Sequence, residues 1–220
     1  MTHARRTGLL TAMTTLPRLD PDVALVRQFR ATGDARVFEK LFHKYQGPVF
    51  HLVSRMTGGE DAYDLTQDVF VRALRSLHLF QGDSKFRTWL YTIARNTCLN
   101  HLRDDKARAA AQGYSLDDDA GPDAPGGGPE PSDPAADVPR LVETRELQQA
   151  VDQTLALLSP EQRLLITLRD LEGLSYEEIG DITEMNLGNV KSKLHRARLA
   201  FRRAFAPHLG LVGDVSHEGK

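Results

Sequence analysis

Apolar residues recur at three- and four-residue spacing through most of the chain. Val37, Phe38, Leu41, Phe42, Tyr45, Val49, Leu52, Val53 and Met56 form one such stripe, and that period places them on one face of a helix. Gly47-Pro48 falls inside the stripe and predicts a bend or an interruption. A second helix is predicted from about Asp61 to Leu77, with Leu65, Val69, Ala73, Leu74 and Leu77 on its inner face. A third runs from about Lys85 to Arg103, with Trp89, Leu90, Ile93, Ala94 and Leu102 inward. No segment keeps a two-residue alternation, so strands are not expected.

The punctuation sharpens toward the C-terminus. Ser159-Pro160-Glu161-Gln162 combines an N-cap, a proline at the first helical position and a capping-box glutamine. The helix it opens runs to about Leu171 and stops at Gly173. Ser175-Tyr176-Glu177-Glu178 is a second capping box, opening a short helix through Ile182. After a turn, Asn186 caps a long helix through Arg203. A short helix, a tight turn and a longer helix form a helix-turn-helix. Ile179, Ile182, Met185, Val190 and Leu194 are its expected core.

Between these halves the pattern stops. Residues 114–137 hold five prolines, four glycines and seven acids with no base. Such a segment cannot bury enough apolar surface to offset its ordering entropy, so disorder is expected. The fold class is therefore all-α. Two small helical domains, 20–106 and 140–206, are joined by a disordered acidic Pro/Gly-rich linker, 107–139. Residues 1–19 form an N-terminal extension and 207–220 a tail.

Composition narrows the function. No apolar run approaches the roughly 20 residues needed to span a bilayer, so no membrane insertion is expected. Cys98 is the single cysteine, which excludes an intrachain disulfide and favours a cytoplasmic location; it sits in an apolar pattern and reads as an inert packing thiol. The eight histidines form no HExxH pair, so no metal site, cofactor or enzyme activity is expected. The net charge is −2 and the isoelectric point 6.4. Against that average, Leu187–Arg203 carries Lys191, Lys193, Arg196, Arg198, Arg202 and Arg203 and no acid. A cationic second helix of a helix-turn-helix fits docking on DNA phosphates.

At these residues a family resemblance appears. Leu158-Ser-Pro-Glu-Gln, Leu174-Ser-Tyr-Glu-Glu-Ile-Gly and Leu187-Gly-Asn-Val-Lys-Ser-Lys-Leu-His-Arg-Ala-Arg resemble region 4 of sigma factors of the extracytoplasmic-function class. Asp61-Ala-Tyr-Asp-Leu-Thr-Gln-Asp-Val-Phe resembles region 2.2, and Phe86-Arg-Thr-Trp-Leu-Tyr-Thr-Ile-Ala-Arg-Asn resembles regions 2.3 and 2.4. The resemblance implies a sigma factor that binds core RNA polymerase, directs it to promoter DNA and starts transcription in response to stress or envelope signals. An anti-sigma factor is the implied regulatory partner. The alternative is a conventional helix-turn-helix regulator that binds DNA without polymerase.

The resemblance distributes roles over residues. Asp64, Leu65, Gln67, Asp68 and Phe70 are the implied polymerase contacts, and Asp64, Gln67 and Asp68 share one polar stripe. Lys85, Phe86, Arg87, Trp89, Tyr91, Arg95 and Asn96 are the implied readers of the melted −10 element. Bases interleaved with aromatics suit single strands, where phosphates are held and bases stack. The preceding loop, Phe80-Gln-Gly-Asp-Ser-Lys, is a candidate pocket for a flipped base. Asn189, Lys191, Ser192, Lys193, His195 and Arg196 are the implied readers of the double-stranded −35 element. Two elements roughly 25 base pairs apart lie about 85 Å apart, a span the tether covers at about 100 Å extended.

Some positions depart from the family pattern. Thr183 stands where an apolar residue is usual, Glu184 where glycine is common, Asn189 for threonine and Asn100 for aspartate. Residues 1–12 match nothing, and Met13 is an alternative start to Met1.

Overall fold

The computed structural model describes residues 20–111 and 138–209, and every regular element among them is helical. The acidic segment read as a linker lies almost wholly outside the described residues. Its two ends do not: helix continues through 107–111 on one side and begins at 138 on the other.

The first lobe contains α1 (Pro21–Thr32), α2 (Ala35–Thr57), α3 (Ala62–Ser76) and α4 (Phe86–Ala111). Asp20 caps α1, Pro21 opens it, and Gly33 closes it in a left-handed conformation. α1 lies outside the helices expected from the apolar periodicity. α2 passes through Pro48 as one helix, so of the expected bend or interruption the interruption does not occur. Tyr45, Val49, Leu52 and Val53 are all buried around that point. Burial of a residue of this kind stabilises by about 1.5–3 kcal/mol, so the stripe outweighs one lost backbone hydrogen bond. α3 buries Leu65, Val69 and Ala73 as expected, but Leu74 is 44% exposed rather than inward.

The second lobe contains α5 (Val138–Ala156), α6 (Pro160–Ile166), α7 (Tyr176–Thr183) and α8 (Leu187–Phe205). α6 leads into a π-helical turn over Thr167–Leu171, ending before left-handed Gly173. Both capping boxes form, with each serine hydroxyl accepting an amide and each Gln162 or Glu178 side chain returning to the cap. Ile179, Ile182, Val190 and Leu194 are buried together.

The lobes are packed on each other. α4 meets α7, and α2 meets α5, α6 and the π-helical turn. Arg163 stitches this seam: its guanidinium donates to the carbonyls of Leu155, Ala156 and Leu158, and also to those of Arg55 and Met56 at the end of α2. One side chain thus satisfies carbonyls left open at two helix ends.

Candidate nucleic-acid interfaces

Three surfaces carry the residues singled out by sequence. The first is the recognition helix α8. Asn186 Oδ1 accepts from the amide of Asn189 at 2.9 Å and starts the helix. Val190, Leu194 and Ala197 are buried, which fixes the helix by its inner stripe. Asn189, Lys191, Ser192, His195 and Arg196 are exposed, the last four on the side opposite that stripe. Lys193 instead leans toward α6 and pairs with Glu161. Arg198 pairs with Asp170 through Nε at 3.0 Å; that hydrogen bond raises the guanidinium pKa further. Those two cations brace α8 within its lobe.

The turn before α8 explains two of the departures. Glu184 takes the left-handed conformation at φ 59°, the position where glycine is favoured. Thr183 is buried, and its hydroxyl donates to the Ile179 carbonyl at 2.6 Å, so the polar atom is satisfied inside its own helix. Gly180 fits under this turn because a Cβ there would lie 2.9 Å from the Met185 carbonyl oxygen.

The second surface is the first half of α4. Lys85 and Asn96 are exposed, while Arg87, Trp89 and Arg95 are partly exposed. Phe86 and Tyr91 are buried at 1% and 0% exposure. Phe86 belongs to an aromatic cluster with Tyr45, Phe80 and Trp89, with ring centroids 5.5–5.8 Å away. The Tyr91 hydroxyl donates to Glu172 of the second lobe at 2.8 Å. Burial pushes its phenol pKa up, and the Glu172 carboxylate pushes it further, so it stays a neutral donor. In this arrangement neither ring is presented for stacking.

The basic side chains of this surface also face the second lobe. Lys85 Nζ lies 2.9 Å and Arg87 3.7 Å from Glu178 Oε1, as ion pairs off the hydrogen-bonding direction. Arg95 lies 3.9 Å from Glu184. Glu178 therefore caps α7 and faces two −10 candidates at once. Burial raises the Glu178 pKa, but the Ser175 amide and the adjacent Lys85 and Arg87 together bring it below the ordinary value.

The third surface is the outer face of α3. Asp64, Gln67 and Asp68 are exposed. Leu65 and Phe70 are buried, and Phe70 packs edge-on to Phe42 at 4.7 Å, so both serve the core in this structure. Val71 and Leu74, each 44% exposed, continue the polar stripe one and two turns on. Leu74 is expected inward because an apolar residue on an amphipathic helix is assigned there by default, and Val71 stands outside the expected inner face.

Among the described residues, no three His, Cys, Asp or Glu side chains group to hold a metal, and no helix is long and apolar enough to cross a membrane.

Comparison with known proteins converges on these same segments. Residues 41–108 match the model of Sigma-70 region 2, and residues 148–201 that of Sigma-70, region 4. The chain is 38% identical over 175 residues to the ECF RNA polymerase sigma-E factor of Escherichia coli strain K12, covering 80% of this chain and 90% of that one. It is 35% identical over 178 residues to the RNA polymerase sigma-H factor of Pseudomonas aeruginosa, at the same coverage. The fold is shared with the sigma factor RpoE, solved with the anti-sigma factor NepR from Bartonella quintana, at TM-score 0.58, 23% identity and 76% and 95% coverage of the two chains. It is shared also with CnrH, solved with the cytosolic domain of CnrY, at TM-score 0.57, 24% identity and 88% and 100% coverage. Both regions lie in order on one chain, and this protein belongs to the extracytoplasmic-function family of RNA polymerase sigma factors, which direct transcription initiation.

Proposed function

We propose that this sigma factor docks on core RNA polymerase through the outer face of α3 and reads promoters with α8 and the first half of α4. The exposed face of α8 carries the reading: Lys191, Ser192, His195 and Arg196 are held outward by a buried Val190–Leu194–Ala197 stripe. Arg196 and Lys191 suit guanine acceptors in the −35 major groove, and Ser192 and Asn189 are adaptable partners. Lys85, Arg87, Trp89, Arg95 and Asn96 are the −10 set, with the phosphates as partners of the bases and Trp89 as the stacking ring. Asp64, Gln67 and Asp68, extended by Val71 and Leu74, form a mixed polar and apolar face fit for a protein partner.

The closed packing of the lobes bears on how it works. −10 and −35 elements roughly 25 base pairs apart need readers about 85 Å apart, and lobes in direct contact cannot supply that. Docking on polymerase therefore separates them. An anti-sigma protein, such as the NepR solved with RpoE, is the partner that would hold the chain off polymerase. The site of action is the cytoplasm. A regulator acting without polymerase is not favoured, because the first lobe matches region 2.

Run-off transcription with purified core polymerase tests the proposal. The full chain is expected to support initiation from a discrete set of genomic fragments and to bind none of them specifically alone. Specific binding without polymerase would favour the conventional regulator.

A further inference from the structure

The loop before α4, Gln81–Lys85, is held from outside by α1. Asp20 carries two amides on one carboxylate: Oδ1 accepts from Asp22 at the start of α1, and Oδ2 accepts from Phe86 at the start of α4, each at 3.1 Å. α4 thus takes its N-terminal capping oxygen from a residue sixty-six positions upstream. At the other end of the loop, the Arg30 guanidinium in the last turn of α1 donates to the Phe80 carbonyl at 3.2 Å. The middle is pinned too. Gly82 has φ +87°, and a Cβ there would meet Val23 Cγ1 of α1 at 3.1 Å.

The rings flanking the loop are fixed as well. Phe80 and Phe86 are 4% and 1% exposed and meet edge to face at 5.8 Å. Gln81 and Asp83 are exposed in this frame, and Lys85, also exposed, reaches across to Glu178 of the second lobe. Both ends and the centre of a short loop are therefore set by one helix, and that helix lies before the matched region 2 segment, which begins at 41.

We infer that α1 is the template for the −10 reading loop, with Asp20 and Arg30 as positioning residues that set base selectivity without touching DNA. The inference rests on the reading of Phe80–Lys85 as the pocket for a flipped base. Its logic is that of any specific site: a reader displaced by a fraction of an ångström loses discrimination before it loses binding. A carboxylate that caps both helices couples the two, so the loop cannot shift without uncapping one of them.

The test uses holoenzyme reconstituted from the full chain and core polymerase. Templates randomised across the −10 and −35 elements are transcribed, and the transcripts are sequenced. Asp20→Ala and Arg30→Ala are expected to flatten preference at one −10 position on the order of tenfold, leaving the −35 profile and core affinity unchanged. Arg30→Lys, which keeps one donor for the Phe80 carbonyl, should restore most of the preference. A merely structural role would lower output on all templates alike and leave the profile intact, overturning the inference. If Asp20→Ala fails to fold, the Arg30→Ala and Arg30→Lys pair decides alone. Gln81→Ala and Ser84→Ala form the second arm. If they leave the −10 profile unchanged, the loop does not read bases and the underlying reading falls with the inference. If they change it while the α1 variants do not, only the α1 inference falls.

Discussion

Glu184 holds a φ of 59° with its side chain 79% exposed. A left-handed non-glycine residue costs roughly 1–3 kcal/mol, partly offset by the greater chain entropy glycine loses on folding. Its pairing with Arg95 at 3.9 Å is long and solvent-screened, so it recovers little. Glu184→Gly is therefore expected to stabilise the fold by about 1 kcal/mol in thermal or denaturant unfolding. A loss would show that the Arg95 pair outweighs the strain, and the same change in an Arg95→Ala background would separate the two. Gly180 poses the opposite case. A methyl group 2.9 Å from the Met185 carbonyl meets backbone, which cannot step aside. Gly180→Ala should cost about 1–3 kcal/mol, with the loss read in the same experiment. Cys98 is fully buried, and burial pushes its thiol up to about 12. Alkylation by iodoacetamide should track global unfolding and be negligible in the native chain.

At the scale of elements, burial separates residues that share a motif. Arg196 is exposed and donates a hydrogen bond back to the Ser192 carbonyl within α8, whereas Lys193 pairs with Glu161. Arg196→Ala should cost about 1–3 kcal/mol of promoter binding and relax preference at one −35 position. Lys193→Ala should chiefly loosen α8 from α6, by less than about 1 kcal/mol. Footprinting of holoenzyme on promoter variants, with parallel unfolding curves, distinguishes them; a uniform loss for Arg196 would make it a phosphate contact. On α3, Asp64→Arg with Gln67→Ala should abolish co-purification with core polymerase and leave helicity intact. Phe70→Ala should instead cost about 3–5 kcal/mol of stability, because its ring is packed against Phe42. Retained polymerase binding in the Asp64/Gln67 variant would remove that face from the interface.

For the whole molecule, the seam between the lobes is the variable part. Tyr91→Phe with Glu172→Ala deletes one of the hydrogen bonds across it without altering the exposed face of α4. The expected result is a larger radius of gyration by small-angle scattering, with thermal stability of each lobe little changed. An unchanged radius would place the closing force in Arg163 and the apolar contacts. Acid should open the same seam. The Glu178 pKa is depressed in the folded chain. Its stabilisation is thus fully present above the ordinary carboxylate range and is lost as pH falls through the depressed value. Expansion on acidification should be weakened in Glu178→Gln, which cannot titrate; an identical acid transition in that variant would assign it to other carboxylates.

Periodicity, capping boxes and turn residues by themselves determined the helical class, the helix-turn-helix and the polar stripe of α3. These are local properties, written within one or two turns of chain, and residues such as Ser175, Glu178 and Asn186 carry them wherever the helix goes. The order of the two motif sets determined the family. What the tertiary structure alone decided is which side of a helix faces inward when apolar and polar residues are mixed. Trp89, inward by spacing and a −10 reader by resemblance, is half-buried against Phe80 and Phe86. Phe86, Tyr91 and Phe70 went into the core, while Leu74 came out. Pro48 stayed within a helix because buried neighbours on both sides outweigh the bond it forfeits. The Asp20 cap on α4 and the Glu178 grip on Lys85 and Arg87 join residues far apart in the chain. Such contacts depend on where whole helices come to rest, and no local spacing encodes that.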